Sequence, residues 1–285
     1  MAHALSRAYA VRGCVFIAAG RAVIDVTDHR AVRDKISEFG PDLVINTAAY
    51  TAVDGAEDDV DLAYKVNCAG AGNVAEAANM VGAPLIHLST DYVFDGLKPT
   101  PYSESDATNP INVYGCSKRA GEIAVAAVSP RHIILRTGWL YSANGKNFVR
   151  TILRHARERD EIAVVDDQTG TPAFAEDLAS AIVRIGDRLL SSADDEVPFG
   201  IFHAAGPAAV NWFQFASAII ASSTTRGGAS CFVRAIASSQ YPARARRPTN
   251  SCLDSEKLAA MFGIRLPAWP ASLERCLDQL TEQGG

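Results

Sequence analysis

The stretch IHLSTDYVFDGLKPTPYSESDATNPINVYGCSK, residues 86–118, decides how the rest of the chain is read. It opens as a short apolar run ending in Ser89-Thr90-Asp91-Tyr92. It passes through a polar, proline-containing loop and closes on Tyr114, four residues before Lys118. On a helix, positions i and i+4 share a face, so a phenol and an ammonium at that spacing can act together. A nearby cation favours the phenolate and is expected to lower the tyrosine pKa. A hydroxyl from Ser89 or Thr90, at the end of the preceding strand, could hydrogen-bond a substrate carbonyl beside that phenol. A Tyr-x-x-x-Lys spacing arises on many helix surfaces. Here it gains weight from its position after a strand, inside an alternating strand–helix pattern.

That pattern extends in both directions. Upstream, residues 2–12 read as a helix with Leu5, Ala8 and Tyr9 inward and Gly13 as its stop. CVFIAAG, residues 14–20, reads as a short buried strand. Asp28 or Thr27 caps a helix over 31–39, which Gly40-Pro41 ends. DLVINTAAY is a buried strand running into Thr47-Ala48-Ala49, small residues that suit either close approach of a ligand or tight packing. A long alanine-rich helical region follows, and Asn67 inside it is either exposed or bound to something. Downstream, RHIILRTGWLY and GIFHAAGP read as strands, EIAVVDDQTGTPAF as a strand and a turn-rich loop, and the segments from Phe148 and Ala175 as helices.

Alternating buried strands and helices indicate an α/β, Rossmann-like, doubly wound parallel sheet. Such sheets bind ligands at the carboxyl ends of their strands. The loops after Ala49, Thr90 and Gly138 fall there. From about residue 207 the pattern weakens into a smaller α/β lobe. The expected division is residues 1–140 and 160–206 for a nucleotide-cofactor domain, and 141–159 and 207–285 for a substrate lobe. In the second part, Arg244, Arg246 and Arg247 form a basic loop stiffened by Pro242 and Pro248. It either receives phosphate groups, which guanidinium binds in bidentate fashion, or is simply solvated.

Composition sets outer bounds. With 285 residues, 48% hydrophobic and 21% charged, the chain is an ordinary globular sequence. A net charge of −5 without a long basic run argues against nucleic acid as a partner. No apolar run is long enough to span a bilayer, and no signal peptide is expected. The six cysteines are scattered without a C-x-x-C pair, so no metal site is expected and the thiols fit a reduced, cytoplasmic protein.

Seven motifs occur in order: GRAVIDVTD, PDLVINTAAYTAVDGAE, HLSTDYVFDG, NPINVYGCSK, LRTGWLYSANGKNFV, DDQTGTPAFAEDLA and ARRPTNSCLDSEKL. Together they resemble the extended short-chain dehydrogenase/reductase superfamily and, within it, the dTDP-4-dehydrorhamnose reductase family. The resemblance covers about residues 20–279. It implies Thr90, Tyr114 and Lys118 as the catalytic trio, with Lys118 also holding the nicotinamide ribose. It places Asp25 and Val26 near the adenine, and Ala49, Tyr50 and Thr51 beneath the cofactor. Thr90, Asp91, Trp139, Asn147 and Arg246 are the implied substrate contacts. The implied cofactor is NADPH or NADH, with Arg21 favouring a 2′-phosphate. The implied substrate is a nucleotide sugar, and a homodimer is the family-level expectation. Tyrosine at position 92, where related sugar-nucleotide dehydratases carry an acid, favours a plain reductase.

One departure from the family pattern concerns the amino terminus. The superfamily begins with a strand and a Gly-rich turn, and the turn leads into a helix that holds the pyrophosphate. MAHALSRAYA matches that helix by pattern, so roughly a dozen residues of strand and turn are expected upstream. The alternatives are a chain weakened as an oxidoreductase, such as a non-catalytic subunit resembling the regulatory subunit of methionine adenosyltransferase, or a reductase of another nucleotide-linked keto sugar.

Overall fold

The computed structural model describes residues 1–10, 12–193 and 196–284. The chain begins with α1 (Ala2–Ala10), α2 (His29–Phe39), β1 (Val44–Asn46), α3 (Val53–Ala56), α4 (Val60–Tyr64), a π-helical turn (Lys65–Ala69), α5 (Gly70–Met80) and β2 (Leu85–Thr90). A 3-10 turn (Asp91–Val93) and a loop lead to α6 (Val113–Val128), β3 (His132–Thr137), β4 (Leu140–Tyr141), α7 (Phe148–Glu158), β5 (Glu161–Val165), β6 (Thr169–Gly170) and β7 (Ala173–Phe174). Then come α8 (Ala175–Ser191), β8 (Gly200–His203), β9 (Val210–Asn211), α9 (Trp212–Thr224), β10 (Phe232–Ile236), α10 (Glu256–Phe262) and α11 (Trp269–Gly284).

The apolar runs make a four-stranded parallel sheet in the order β1-β2-β3-β8. Successive strand residues point to opposite faces, and both faces are covered. Ile86, Ile133, Leu135 and Phe202 pack with Leu5 of α1 and with Leu178, Ile182 and Ile185 of α8. Leu85 and Ile134 pack on the other side with Val32 and Ile36 of α2, Val74 and Ala78 of α5, and Val125 of α6. This two-sided burial explains why these strands read as continuous apolar runs rather than as alternating ones. The doubly wound fold is therefore present.

The strand expected over residues 14–20 does not form. Val15 is 91% exposed and Ile17 51% exposed, and the segment is irregular. A strand needs a neighbour to take its ladder hydrogen bonds, and among the described residues none reaches this segment. Its Phe16 instead stacks on Tyr9 of α1, with centroids 5.3 Å apart. The long helical region after residue 51 is also divided, into α3, α4, the π turn and α5. Asp59 starts α4, and the π turn lies opposite α6.

A second core is built from α7, α9, α11 and β5, around Val149, Ile152, Phe215, Ile219 and Leu273. Here β5 pairs in parallel with β10. Residues 161–165, grouped with the first domain on sequence, thus bury Ile162 and Val164 in this second core. Among the described residues no helix is long and apolar enough to cross a membrane.

Helix α6 positions the site, and its placement is tightly constrained. Asn112 caps it, accepting from Gly115 N at 2.7 Å, while its Nδ2 donates to Arg246 O. Two glycines let it approach its neighbours closely. A Cβ at Gly115 would lie 2.2 Å from Tyr92 O, and one at Gly121 would lie 2.0 Å from Asn67 O. Replacing Gly121 with alanine should therefore push α6 off the π turn. Overpacking of this kind costs about 1–3 kcal/mol, which a lowered urea midpoint with unchanged m-value would report.

Candidate functional site

The site lies where the carboxyl ends of β1, β2 and β3 meet the first turns of α6. Thr90 is the last residue of β2 and is buried. Its Oγ1 accepts from Tyr92 N at 3.2 Å and donates to Asp91 Oδ1 at 3.0 Å. The same hydroxyl lies close enough to the Tyr114 phenol to pull its pKa down. Two hydroxyls, from a strand end and from a helix start, thus meet at one point. The edge of Tyr114 rests on Tyr92 at 5.9 Å between centroids.

The Tyr114 pKa is pushed up to about 12, by burial above all; the Thr90 hydrogen bond works against this rise and the Asp91 charge adds to it. This reverses the expected lowering by Lys118. The two residues share a helix face, but the lysine Nζ turns inward, donating to Leu88 O at 2.6 Å and sitting 3.5 Å from His87 Nε2. Burial lowers the Lys118 pKa to about 8, and the charge of Glu122, one turn along α6, opposes that shift. Asp91 is also buried, and burial lifts its carboxyl to about 6 against hydrogen bonds from Ser251 and Thr90. Its Oδ2 is buried without a hydrogen-bond partner. A Cβ at Gly138 would lie 2.5 Å from that oxygen, so glycine there is what allows β3 to end beside Asp91.

The loop after β1 contains Ala49, Tyr50 and Thr51, and two asparagines hold it. Asn46 Oδ1 accepts from Ala48 N at 3.0 Å. Asn67 Oδ1 accepts from Tyr50 N at 2.8 Å, and its Nδ2 donates to Tyr50 O and to Ser117 Oγ. Ser117 Oγ in turn donates to Tyr114 O at 2.8 Å. Of the two readings of Asn67, the structure selects the bound one. It ties the loop to the turn of α6 that carries the phenol. A π-helical turn at such a point is a frequent mark of a functional site.

The remaining expected residues lie at the periphery. Val26 packs against Gly70 of α5, and its carbonyl accepts from Asn73 Nδ2. Asp25 accepts from the backbone and hydroxyl of Thr27, which keeps its pKa low, and pairs with exposed Arg21 at 3.3 Å. Trp139 follows β3 in a left-handed conformation, φ +48°, unusual for a bulky residue. Its ring stacks on Trp212 at 3.3 Å, and Gly170 leaves room for the indole. Asn147 caps α7 through Oδ1 and braces the loop at Ser142 and Asn144 through Nδ2. In the basic loop, Arg247 pairs with Asp54 and Arg244 with Asp58. Arg246 is exposed and has no ion pair among the described residues.

Sequence reasoning missed Asn46, His87, Ser117 and Trp212. The first two carried a signal: each is a polar side chain inside an otherwise apolar strand run, and both are buried. Among the described residues no group of three His, Cys, Asp or Glu side chains could hold a metal.

The geometry has known counterparts. A family model described as the RmlD substrate binding domain matches residues 1–282. The chain is 46% identical to a dTDP-4-dehydrorhamnose reductase from Sinorhizobium fredii, over 93% of this chain and 89% of the relative. It is 38% identical to the Escherichia coli protein of that name, over 90% and 85%. A crystal structure of a dTDP-4-dehydrorhamnose reductase ortholog from Clostridium acetobutylicum superposes with a TM-score of 0.90 at 34% identity, covering 98% of this chain and 95% of the other. The Bacillus anthracis reductase, solved in complex with NADP, gives 0.84 at 37% identity, covering 91% and 88%. With a family match along nearly its whole length and relatives this similar, the chain belongs to the dTDP-4-dehydrorhamnose reductase family of extended short-chain dehydrogenases/reductases.

Proposed function

We propose that the protein is an NAD(P)H-dependent reductase that converts the C4 ketone of dTDP-4-dehydrorhamnose to the alcohol, giving dTDP-L-rhamnose. The observation that carries this reading is the convergence of Thr90, at the carboxyl end of β2, with Tyr114 at the start of α6 and Lys118 one turn along the same helix.

The residues fit a nicotinamide cofactor. An ammonium has three donors, and Leu88 O firmly takes one of those on Lys118, so donors remain for ribose hydroxyls. Ala48 and Ala49 expose backbone for close approach, and Asn46 and Asn67 fix that backbone. Ala49, Tyr50 and Thr51 would lie beneath the cofactor, Asp25 and Val26 beside its adenine, and Arg21 near a 2′-phosphate. When bound, NAD(P)H supplies the hydride that reaches C4.

The other half of the reduction falls to the chain. Thr90 orients the substrate carbonyl oxygen. Tyr114 hands that oxygen a proton as charge develops on it. A phenol held near 12 stays protonated at neutral pH and can serve as the acid. Asp91, Trp139, Asn147 and Arg246 would border the space for sugar and nucleotide. The same reading places the enzyme in the cytoplasm, working as a homodimer, which light scattering on the purified protein would test.

Incubation with dTDP-4-dehydrorhamnose and NADPH should deplete reduced-nicotinamide absorbance; a folded protein giving no turnover would overturn the assignment. Tyr114→Phe should lower kcat by about 10²–10⁴-fold, the usual worth of a general acid, with a much smaller change in KM. Lys118 holds its proton below its pKa and loses it above. With that pKa near 8, kcat/KM should fall as pH rises through about 8. Arg21→Ala should raise KM for NADPH and leave KM for NADH unchanged, as steady-state assays with each cofactor would show.

A further inference from the structure

Lys118 is backed by a fully buried histidine for which the reductase reading has no use. His87 lies inside β2, between Asn46 of β1 and Lys118 of α6. Its Nδ1 is 3.2 Å from Asn46 Nδ2, and its Nε2 is 3.5 Å from Lys118 Nζ. The orientation of the Asn46 amide is not free. Oδ1 is committed to the Ala48 N–H at 3.0 Å, so the nitrogen end faces the imidazole. An amide nitrogen only donates, so Nδ1 must accept. A neutral imidazole carries one proton, and here that proton is left on Nε2, pointing at the lysine.

We propose that His87 is a positioning residue for Lys118, fixed in its Nε2–H tautomer by Asn46 and through it by the backbone of the loop at Ala48. The inference rests on the reductase reading for its catalytic meaning, since Lys118 matters through that reaction. Its structural content stands apart from it.

The physical effect has a definite sign. An N–H dipole aimed at an amine opposes the charged form and suits the neutral one. Burial acts in the same direction, and only Glu122 on α6 pulls the other way. The imidazole itself stays uncharged. Burial, the Lys118 charge and His132 of β3 all hold its pKa well below the usual histidine value. Arg136 of β3 is the other cation nearby, and Glu122 engages it fully. The element β1 contributes no titratable group at this point, only Asn46. The chain from Ala48 N–H through Asn46 and His87 to Lys118 therefore links the placement of the proposed cofactor loop to the charge of the lysine. If the loop releases Asn46, the amide can turn over, the tautomer can reverse, and the lone pair of Nε2 then stabilises the ammonium.

The test reads the tautomer directly. In full-length protein labelled with ¹⁵N-histidine, the His87 signals are those lost in His87→Phe. Nδ1 should be unprotonated and Nε2 protonated, without titration from neutral to mildly acid pH. A protonated Nδ1, or an imidazolium in that range, overturns the proposal. Lys118 is then followed by its ¹³Cε titration. Asn46→Asp keeps an acceptor for Ala48 N–H but puts an acceptor opposite Nδ1, which reverses the tautomer. It should raise the lysine midpoint by roughly one unit, and the basic limb of the kcat/KM profile should move up with it. His87→Phe, which removes the dipole, should shift both the same way. If both variants keep their circular dichroism and neither moves the lysine midpoint, His87 merely fills space. The two nuclear readouts require no turnover, so failure of the proposed reaction leaves them interpretable.

Discussion

A carboxylate with no solvent exposure, Glu122, is the interaction on which the rest of the site depends. Its Oε1 accepts from Ser89 Oγ at 2.5 Å and from Arg136 Nε at 2.8 Å, and its Oε2 accepts from Arg136 Nη2 at 2.7 Å and Arg119 Nη1 at 3.3 Å. These bonds fasten α6 to β2 and β3 at one register. Arg136 continues the network to His203 of β8, whose Nδ1 faces the carbonyls of Tyr102 and Asp254. Burying such a pair gains little over apolar packing, but removing one partner costs roughly 3–5 kcal/mol because the other is left charged and dry. What the cluster supplies is geometry. Lys118 lies one turn before Glu122 and Tyr114 two turns before it, so the fixed carboxylate fixes where both can reach.

Rigidity on the opposite side of the cleft is supplied without charge. Asn67 pairs with both backbone groups of Tyr50 as a neighbouring strand would, and Asn46 takes Ala48 N–H. The loop is thereby held as firmly as a strand while its side chains stay small. The basic loop is drawn in by Asp54, which accepts from Arg247 and from the backbone of Arg244 and Ala245. Together these contacts bring the loop between β10 and α10 against the start of α3 and the cap of α6.

Local signals made much of the fold legible. Asp28 before α2 and Gly40 after it mark that helix, and the structure uses both as caps. The Tyr–Lys spacing marks α6, which the structure caps with Asn112. Residues 14–20 were misread because their β-branched and aromatic side chains describe a strand only when a neighbour exists to pair with it, which is a nonlocal fact. The break at Lys65–Ala69 escaped notice because alanine-rich sequence favours continuous helix. The interruption comes from Asn67 bonding across to Tyr50 and Ser117. In the site, Thr90 and Tyr114 were brought together as their motifs suggested. The inward turn of Lys118 was not legible, since it depends on Leu88 O and His87, seen only once β2 and α6 are packed.

The left-handed backbone at Trp139 and its face-to-face contact with Trp212 also give the protein an optical property. The chain has three tryptophans, and two of them lie with ring planes 2° apart at 3.3 Å. Indoles in such close contact couple their strong transitions, so the pair is expected to add its own exciton signal to the far-ultraviolet dichroism. The third, Trp269, packs edge-on against Phe215 in the second core. A ligand that displaces Trp139 would separate the pair and remove that signal, while unfolding of the second core would register at Trp269. Events at the cleft and loss of the fold therefore leave different signatures in the unlabelled protein.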